Sequence, residues 1–237
     1  HVRFNRNVEK KLRYIRPRAD IIKEIYTIGF PAIIAQALMS VMTYGINIVL
    51  VNVNEALVTA YGLYYKIQQF ILFAAFGLRD AITPIVSFSH GMRDKKRISD
   101  GIKYGLGYTV ALMIFGTVIL EIIAVPLCSA FGLSAETESL CVSATRIISL
   151  SFVFAGINIA LQGIFQALDC GLSSLATSLC RQLLFVLPVI YALSLSVSPD
   201  LHNARIVWLT FIISEFTTAV IASALMVKIY KDKVRKL

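Results

Sequence analysis

Charged residues are scarce in this sequence: Asp, Glu, Lys and Arg make up 16% of its 237 residues. Soluble domains carry roughly 25% charged residues. Hydrophobic residues make up 57% of the chain, and the mean hydropathy is +0.73. A soluble domain of this size cannot bury so much apolar surface, so the composition indicates a protein embedded in a lipid bilayer.

Metal-binding and catalytic motifs are also missing. The four cysteines form no close pair in the sequence, and the three histidines, His1, His90 and His202, lie far apart. This spacing excludes a zinc ribbon, a disulfide-rich secreted module and the usual histidine metal motifs. There is no GxxxxGK loop, no HExxH, no GxSxG and no cluster of aspartates. We therefore predict neither an enzyme nor a bound cofactor or metal.

Six apolar segments are long enough to cross a bilayer as helices, which takes about 20 residues each. They are too long for barrel strands and do not alternate, so we predict an all-α integral membrane protein with a bundle of six transmembrane helices. Residues 1–24 would form a basic arm, 25–230 the membrane lobe and 231–237 a basic tail. The six spans run over about Ile25–Val53, Ala56–Phe88, Ile102–Ala130, Leu140–Leu168, Leu175–Val197 and Ile206–Ile229.

The basic residues cluster in alternate loops. Eighteen of the 23 Lys and Arg residues fall in the N-terminal arm, around the loop between spans two and three, or in the tail, whereas the other loops carry only acidic charges. This is the positive-inside pattern, and it predicts a multi-pass protein of the cell inner (plasma) membrane with both termini in the cytoplasm. Anionic lipids are a secondary partner. Nucleic acid is not a predicted partner, because the basic clusters flank spans instead of forming one folded basic face.

Polar residues recur at helical spacing inside three spans, the first, second and fourth. Such lines of polar side chains avoid lipid, so they either line a water-filled cavity or hydrogen-bond between helices. Their richness in Tyr and Gln favours the cavity slightly. The candidate substrate cavity consists of Gln36, Ser40, Thr43, Asn47, Tyr61, Tyr65, Gln69, Asn158 and Gln162.

Four charged residues lie deep within the predicted spans: Lys66, Glu121, Arg146 and Glu215. An isolated charge at such depth costs at least about 2.5 kcal/mol. We therefore expect pairs, with Lys66 or Arg146 beside Glu121 or Glu215. Two interpretations remain, a static salt bridge and a protonatable carboxylate in a coupling pathway. Cys128 and Cys141 both fall toward the outer side of the bundle, and we expect free, buried thiols there.

Several segments resemble the MATE (multidrug and toxic compound extrusion) family. The first span, with Gly29-Phe30-Pro31 near its start, resembles the seventh helix of that family. The second span also resembles the family in its Gly77, Ala81 and Pro84 spacing and in the basic loop that follows. The segment FQALDCGLSS resembles the turn between helices ten and eleven, and VWLTFIISEFTTAVIASALMV, which includes Glu215, resembles helix twelve.

The resemblance implies the C-terminal six-helix lobe of a twelve-helix secondary transporter, whose N-terminal six-helix lobe would be its partner. Such transporters export cationic, amphiphilic drugs or metabolites in exchange for Na⁺ or H⁺, by alternating access along a path between the lobes. One alternative is a flippase of lipid-linked precursors or polysaccharides from the same superfamily, which would favour a strongly basic cavity. Another is a non-transporting membrane scaffold subunit.

The sequence departs from one family pattern. Some branches bind the coupling ion through acidic residues in helices seven and ten. The corresponding lines here carry Gln36 and Ser40, and Asn158 and Gln162, with no carboxylate. The resemblance then implies a coupling acid in the N-terminal lobe. The positive charge of Lys66 is unfavourable near a cation site unless Glu215 or Glu121 neutralises it.

Overall fold

A computed structural model describes residues 17–198, 201 and 203–237, so residues 1–16 of the expected arm lie outside the described residues. Every regular element within the described ranges is helical. Short π-helical turns at Cys180–Leu184 and Tyr230–Val234 and a 3₁₀ turn at Ala204–Trp208 adjoin the α-helices. The α-helices are α1 Ala19–Val51, α2 Glu55–Gly91, α3 Lys95–Ser129, α4 Ala135–Ser149, α5 Phe152–Ala167, α6 Gly171–Leu179, α7 Val186–Ser194 and α8 Leu209–Ile229.

Among the described residues, five helical segments are long and apolar enough to cross a membrane, and the bent α4–α5 pair makes a sixth if it counts as one span. The predicted class, an all-α membrane bundle, is confirmed. The helices extend beyond their apolar parts, because caps outside the spans satisfy their first N–H groups. Asn54 Oδ1 accepts from Ala56 N at 2.8 Å, and Asp94 Oδ1 accepts from Arg97 N at 3.0 Å. The helix α1 also begins early, at Ala19 instead of the expected Ile25, although no side chain caps it.

The fourth predicted span is not one straight helix. It divides into α4 and α5, which meet at an angle of 52°. At the break, Ser149 Oγ donates to Arg146 O at 2.8 Å and Ser151 Oγ donates to Ile148 O at 2.7 Å. Serine hydroxyls that bond to nearby carbonyls compete with the helical ladder, and the helix bends where two of them do so.

The fifth predicted span is interrupted by the π-helical turn Cys180–Leu184, which separates α6 from α7. Its signature is the bond from Phe185 N to Cys180 O at 3.1 Å, one residue longer than an α-helical bond. Pro188 lies just beyond. Because proline has no N–H and its ring clashes with the carbonyl four residues earlier, Leu184 cannot continue a regular α-helical ladder.

The centre of the lobe is α5, which packs against α2, α3, α6 and α8. Glycines allow this close approach. A Cβ at Gly156 would stand 2.4 Å from Met113 Cγ, and one at Gly163 would stand 2.4 Å from Arg79 Cγ. The outer faces of the helices expose large apolar side chains, as expected for contact with lipid: Phe70 is 80% exposed and Ile122 is 72% exposed.

Gly105 and Gly107 on α3 offer a matched test of this packing. A Cβ at Gly105 would meet three Ile82 atoms at 2.7–3.1 Å, whereas a Cβ at Gly107 meets nothing within 4 Å. We expect Gly105→Leu to lower the free energy of unfolding by about 1–3 kcal/mol or more through overpacking, and Gly107→Leu to leave it nearly unchanged. Thermal unfolding in detergent measures both. If the two variants unfolded at the same midpoint temperature, that result would contradict the α2–α3 contact.

Candidate functional site

A groove with a volume of about 620 Å³ lies between α1 and α2. It brings together four of the nine residues predicted for the substrate cavity: Gln36 and Ser40 from α1, and Tyr65 and Gln69 from α2. These side chains meet because i, i+4 positions share one face of a helix, and the two faces oppose each other. The remaining lining residues are apolar or soft: Ile33, Ala37, Met39, Phe73 and Phe76.

The described lining residues of the groove carry no charge. They present amide oxygens, hydroxyls, aromatic rings and the thioether of Met39. Gln36 Nε2 lies 3.7 Å from Met39 Sδ, which orients the amide along the helix. Aromatic faces and amide oxygens attract organic cations, and the apolar remainder suits the body of an amphiphilic molecule.

Three other predicted cavity residues lie outside this groove. Thr43 and Asn47 continue the polar line along α1 and are half-buried. The Thr43 hydroxyl donates to Met39 O at 2.9 Å, so its hydrogen bond is made within the helix. Tyr61 is buried, and its ring stacks on Phe211 with 5.8 Å between centroids. The structure therefore uses Tyr61 in packing between α2 and α8.

Asn158 and Gln162 are both buried on α5, apart from the groove. Asn158 is a hydrogen-bond donor to α8: its Nδ2 lies 2.8 Å from Glu215 Oε2 and 3.0 Å from the Glu215 carbonyl oxygen. Asn158 therefore joins α5 to α8, whereas Gln162 Nε2 is buried without a hydrogen-bond partner among the described residues.

Glu215 is buried and forms an ion pair with Arg181, whose Nε donates to Glu215 Oε1 at 2.6 Å. The two side chains are only 12% and 10% exposed. The expected pairing of Glu215 with Lys66 or Arg146 is wrong. Arg181 belongs to the π-helical turn, and its carbonyl accepts a hydrogen bond from Ser214 Oγ at 3.0 Å. The π turn, α5 and α8 are thus joined around one charge pair.

Arg181 was absent from the charges singled out in the sequence. It is the one charged residue between Leu175 and Val197, so a residue-by-residue count of the fifth span would have found it. Its partner could not be found in that way. The pairing depends on how far the π turn rotates the helix, and no short sequence pattern encodes that rotation.

The ion pair borders a small enclosed cavity of about 40 Å³. Tyr64 and Gln68 also line it, and the Tyr64 hydroxyl donates to Gln68 Oε1 at 2.6 Å. Met39 and Tyr65 line both this cavity and the α1–α2 groove. The buried charges are therefore separated from the groove by one layer of side chains.

The other intramembrane charges are more exposed. Arg146 Nε lies 3.9 Å from Glu121 Oε2, one of the expected pairings, with the side chains 51% and 36% exposed. Lys66 is exposed, does not line the groove, and has no carboxylate within 4.0 Å among the described residues. In the same ranges, no group of three or more His, Cys, Asp or Glu side chains is placed to hold a metal ion.

Comparison with known proteins gives one family and several relatives. A family model described as MatE matches residues 31–192, more than half of the chain. The multidrug export protein MepA of Staphylococcus saprophyticus is 24% identical over 227 residues, which cover 95% of this chain and 48% of that protein. MepA of Staphylococcus haemolyticus is 23% identical over 195 residues, which cover 81% and 42% of the two chains. The chain spans about half the length of these relatives.

Solved structures share the fold. An outward-facing multidrug resistance MATE family transporter of the MOP superfamily superposes with a TM-score of 0.86 at 20% identity, covering 97% of this chain and 51% of that one. A MOP superfamily transporter from Pyrococcus furiosus, described as having a binding pocket of reverse polarity, gives a TM-score of 0.83 at 20% identity, covering 94% and 50%.

The buried ion pair makes a stability prediction. Glu215→Gln leaves the Arg181 charge buried without its partner, and we expect it to lower the free energy of unfolding by about 3–5 kcal/mol. Glu121→Gln breaks the half-exposed pair with Arg146 and should cost less than Glu215→Gln, because the Arg146 charge is not enclosed by protein.

Unfolding in detergent measures both variants. Replacing both buried partners, with Arg181→Met and Glu215→Leu, should recover a large part of the loss. If Glu215→Gln were no more destabilising than Glu121→Gln, the ion pair would not hold the π turn to α8.

Proposed function

Because this chain belongs to the MatE family, we propose that it forms one half of a secondary transporter that exports cationic, amphiphilic drugs or metabolites in exchange for Na⁺ or H⁺. The second half is a six-helix lobe of similar design. Binding and release alternate between the two sides of the membrane as the lobes rock about a path between them. The relatives named as multidrug export proteins support this proposal.

The α1–α2 groove is the observation that carries the proposal. Its amides, hydroxyls and aromatic rings lie on the exposed face of two apolar helices. Polar groups at that depth are disfavoured against lipid and favoured where they face water. The groove therefore supplies this lobe's wall of the substrate path.

The charge of the groove favours an organic cation over the polyanionic substrate of a flippase. A site for lipid-linked phosphates would present several Lys or Arg side chains to water. Arg181 is instead neutralised by Glu215, and Lys66 stands outside the described lining of the groove. Because the described lining residues are uncharged, the groove binds through aromatic faces and amide oxygens. These groups suit an organic cation whose positive charge is spread over several atoms.

The basic clusters support the orientation in the membrane. Lys95, at the start of α3, donates from Nζ to Arg235 O at 3.3 Å, and the hydroxyls of Ser99 and Tyr230 are 2.7 Å apart. The loop between α2 and α3 and the C-terminal tail therefore share one end of the lobe. In the proposed orientation this end faces the cytoplasm, where basic residues are favoured.

Cysteine labelling tests whether the groove is the substrate path. In the full-length protein without native cysteines, we expect Gln36→Cys, Ser40→Cys and Gln69→Cys to react with a water-soluble methanethiosulfonate. A cationic dye at ten times its Kd should slow these reactions about tenfold, because the dye occupies about nine tenths of the sites.

Phe70→Cys is the matched control. It neighbours Gln69 but lies outside the described lining of the groove, and Phe70 is 80% exposed on an apolar face. A thiol facing lipid does not ionise, so this variant should react slowly with or without dye. Slow labelling at the three groove positions as well would make them packing residues and would remove the support for a substrate path.

Coupling gives a second functional test. The described lining of the groove has no carboxylate, so we place the coupling acid in the other lobe. Glu121, the other carboxylate deep in this lobe, has its Oε1 atom 3.0 Å from Ser149 Oγ. We expect Glu121→Gln to retain dye efflux driven by an ion gradient, within about twofold of the original rate, a shift in barrier of under about 0.5 kcal/mol.

Transport into inverted vesicles under separate Na⁺ and H⁺ gradients measures this dependence. Arg146→Gln, which removes the partner of Glu121 and keeps the carboxylate, is the control. Loss of the ion response in Glu121→Gln, but not in Arg146→Gln, would place coupling in this lobe.

A further inference from the structure

Two cysteines that the proposed transport does not use lie at the end of the lobe away from the α2–α3 loop. Cys128 is in the last turn of α3, and Cys141 is in the second turn of α4. Their Sγ atoms are 3.1 Å apart, and both side chains are fully buried. Neither residue lines the groove or the small cavity beside the Arg181–Glu215 pair.

The surrounding contacts hold the two thiols together. Residues 130–134 turn between the two helices, with Gly132 at a φ of +62°, a conformation that glycine adopts readily. Ser129 Oγ donates to a carboxylate oxygen of Glu138 across that turn. On the other side, Thr145 Oγ1 donates to Cys141 O at 2.9 Å and lies 3.9 Å from Cys128 Sγ. These bonds connect α3 to α4 on both sides of the sulfur atoms.

A disulfide has an S–S distance of about 2.05 Å, so a movement of about 1 Å would bring these sulfurs to bonding distance. We propose that Cys128 and Cys141 form an oxidisable dithiol, which hydrogen peroxide converts to a disulfide that joins α3 to α4. This assigns a modification site beyond the proposed transport function, and it does not rest on that function.

The reaction balances with peroxide as the oxidant. One thiol loses its proton, and the thiolate attacks a peroxide oxygen. The O–O bond breaks to give a sulfenic acid and a hydroxide ion, which takes up the released proton and becomes water. The second thiol then attacks the sulfenyl sulfur, and the S–O bond breaks with release of a second water. Two thiols and one hydrogen peroxide thus give one disulfide and two waters, with both sulfurs oxidised and both peroxide oxygens reduced.

Burial selects the class of oxidant. A protein oxidant must place its own disulfide against the attacking sulfur, which two fully buried thiols do not allow. Hydrogen peroxide is small and uncharged. The neighbouring thiol captures the sulfenic acid before further oxidation.

Mass spectrometry on the full-length protein in membranes tests the proposal. After brief treatment with hydrogen peroxide, free thiols are blocked with N-ethylmaleimide under denaturing conditions and the protein is digested. We expect a linked peptide that contains Cys128 and Cys141, which dithiothreitol separates. The melting temperature should rise after peroxide and return after dithiothreitol, because the link restricts the unfolded chain.

Two variants make the result decisive. Cys170→Ser with Cys180→Ser keeps the pair and should give the same linked peptide and the same shift in melting temperature. Cys128→Ser should give neither, and Cys141 should then stay alkylatable or oxidise past the sulfenic acid. The proposal is overturned if the linked peptide is absent from both the original protein and the Cys170→Ser, Cys180→Ser variant.

Discussion

The buried Arg181–Glu215 pair is the interaction on which the polar interior of this lobe depends. Charges inside a bilayer protein are stable only when opposite charges and hydrogen bonds surround them. Here the π turn supplies Arg181, α8 supplies Glu215, and α5 adds Asn158 as a donor to the same carboxylate. Since α5 is the helix around which the others pack, the pair fixes how the irregular α6–α7 segment sits on the centre of the bundle.

The π turn explains why this arrangement is possible. A π-helical turn adds one residue to the helix and rotates the following side chains, and such turns are frequent at functional sites. Pro188 prevents a regular ladder at Leu184, so the helix is already irregular where Arg181 lies. The same irregularity leaves the Gln182 side chain free to donate to Ala35 O at 3.4 Å on α1. One local feature therefore connects the buried charges to the helix that bears half of the groove.

Much of the fold followed from apolar length alone, because a bilayer requires long helices whose backbone bonds are internal. The breaks did not follow, because the bend at Ser149 and Ser151 and the π turn depend on single hydrogen bonds. For the site, helical spacing groups Gln36 with Ser40 and Tyr65 with Gln69, and all four residues line the groove. The same spacing could not show whether Asn158 lines the groove or lies in the core. A line of polar residues has the same sequence pattern whether water or another helix contacts it.

The groove also constrains what must surround this lobe. Gln36 and Ser40 lie on exposed faces of α1, and each polar group that faces hydrocarbon without a partner costs free energy. Within α1, the Gln36 amide reaches the thioether of Met39, which is a weak acceptor. The groove must therefore meet water or another protein surface within the membrane. A second lobe that encloses a water-filled path would supply water to the polar side chains along the whole α1–α2 face. A scaffold contact would supply partners for them only by filling the groove with protein.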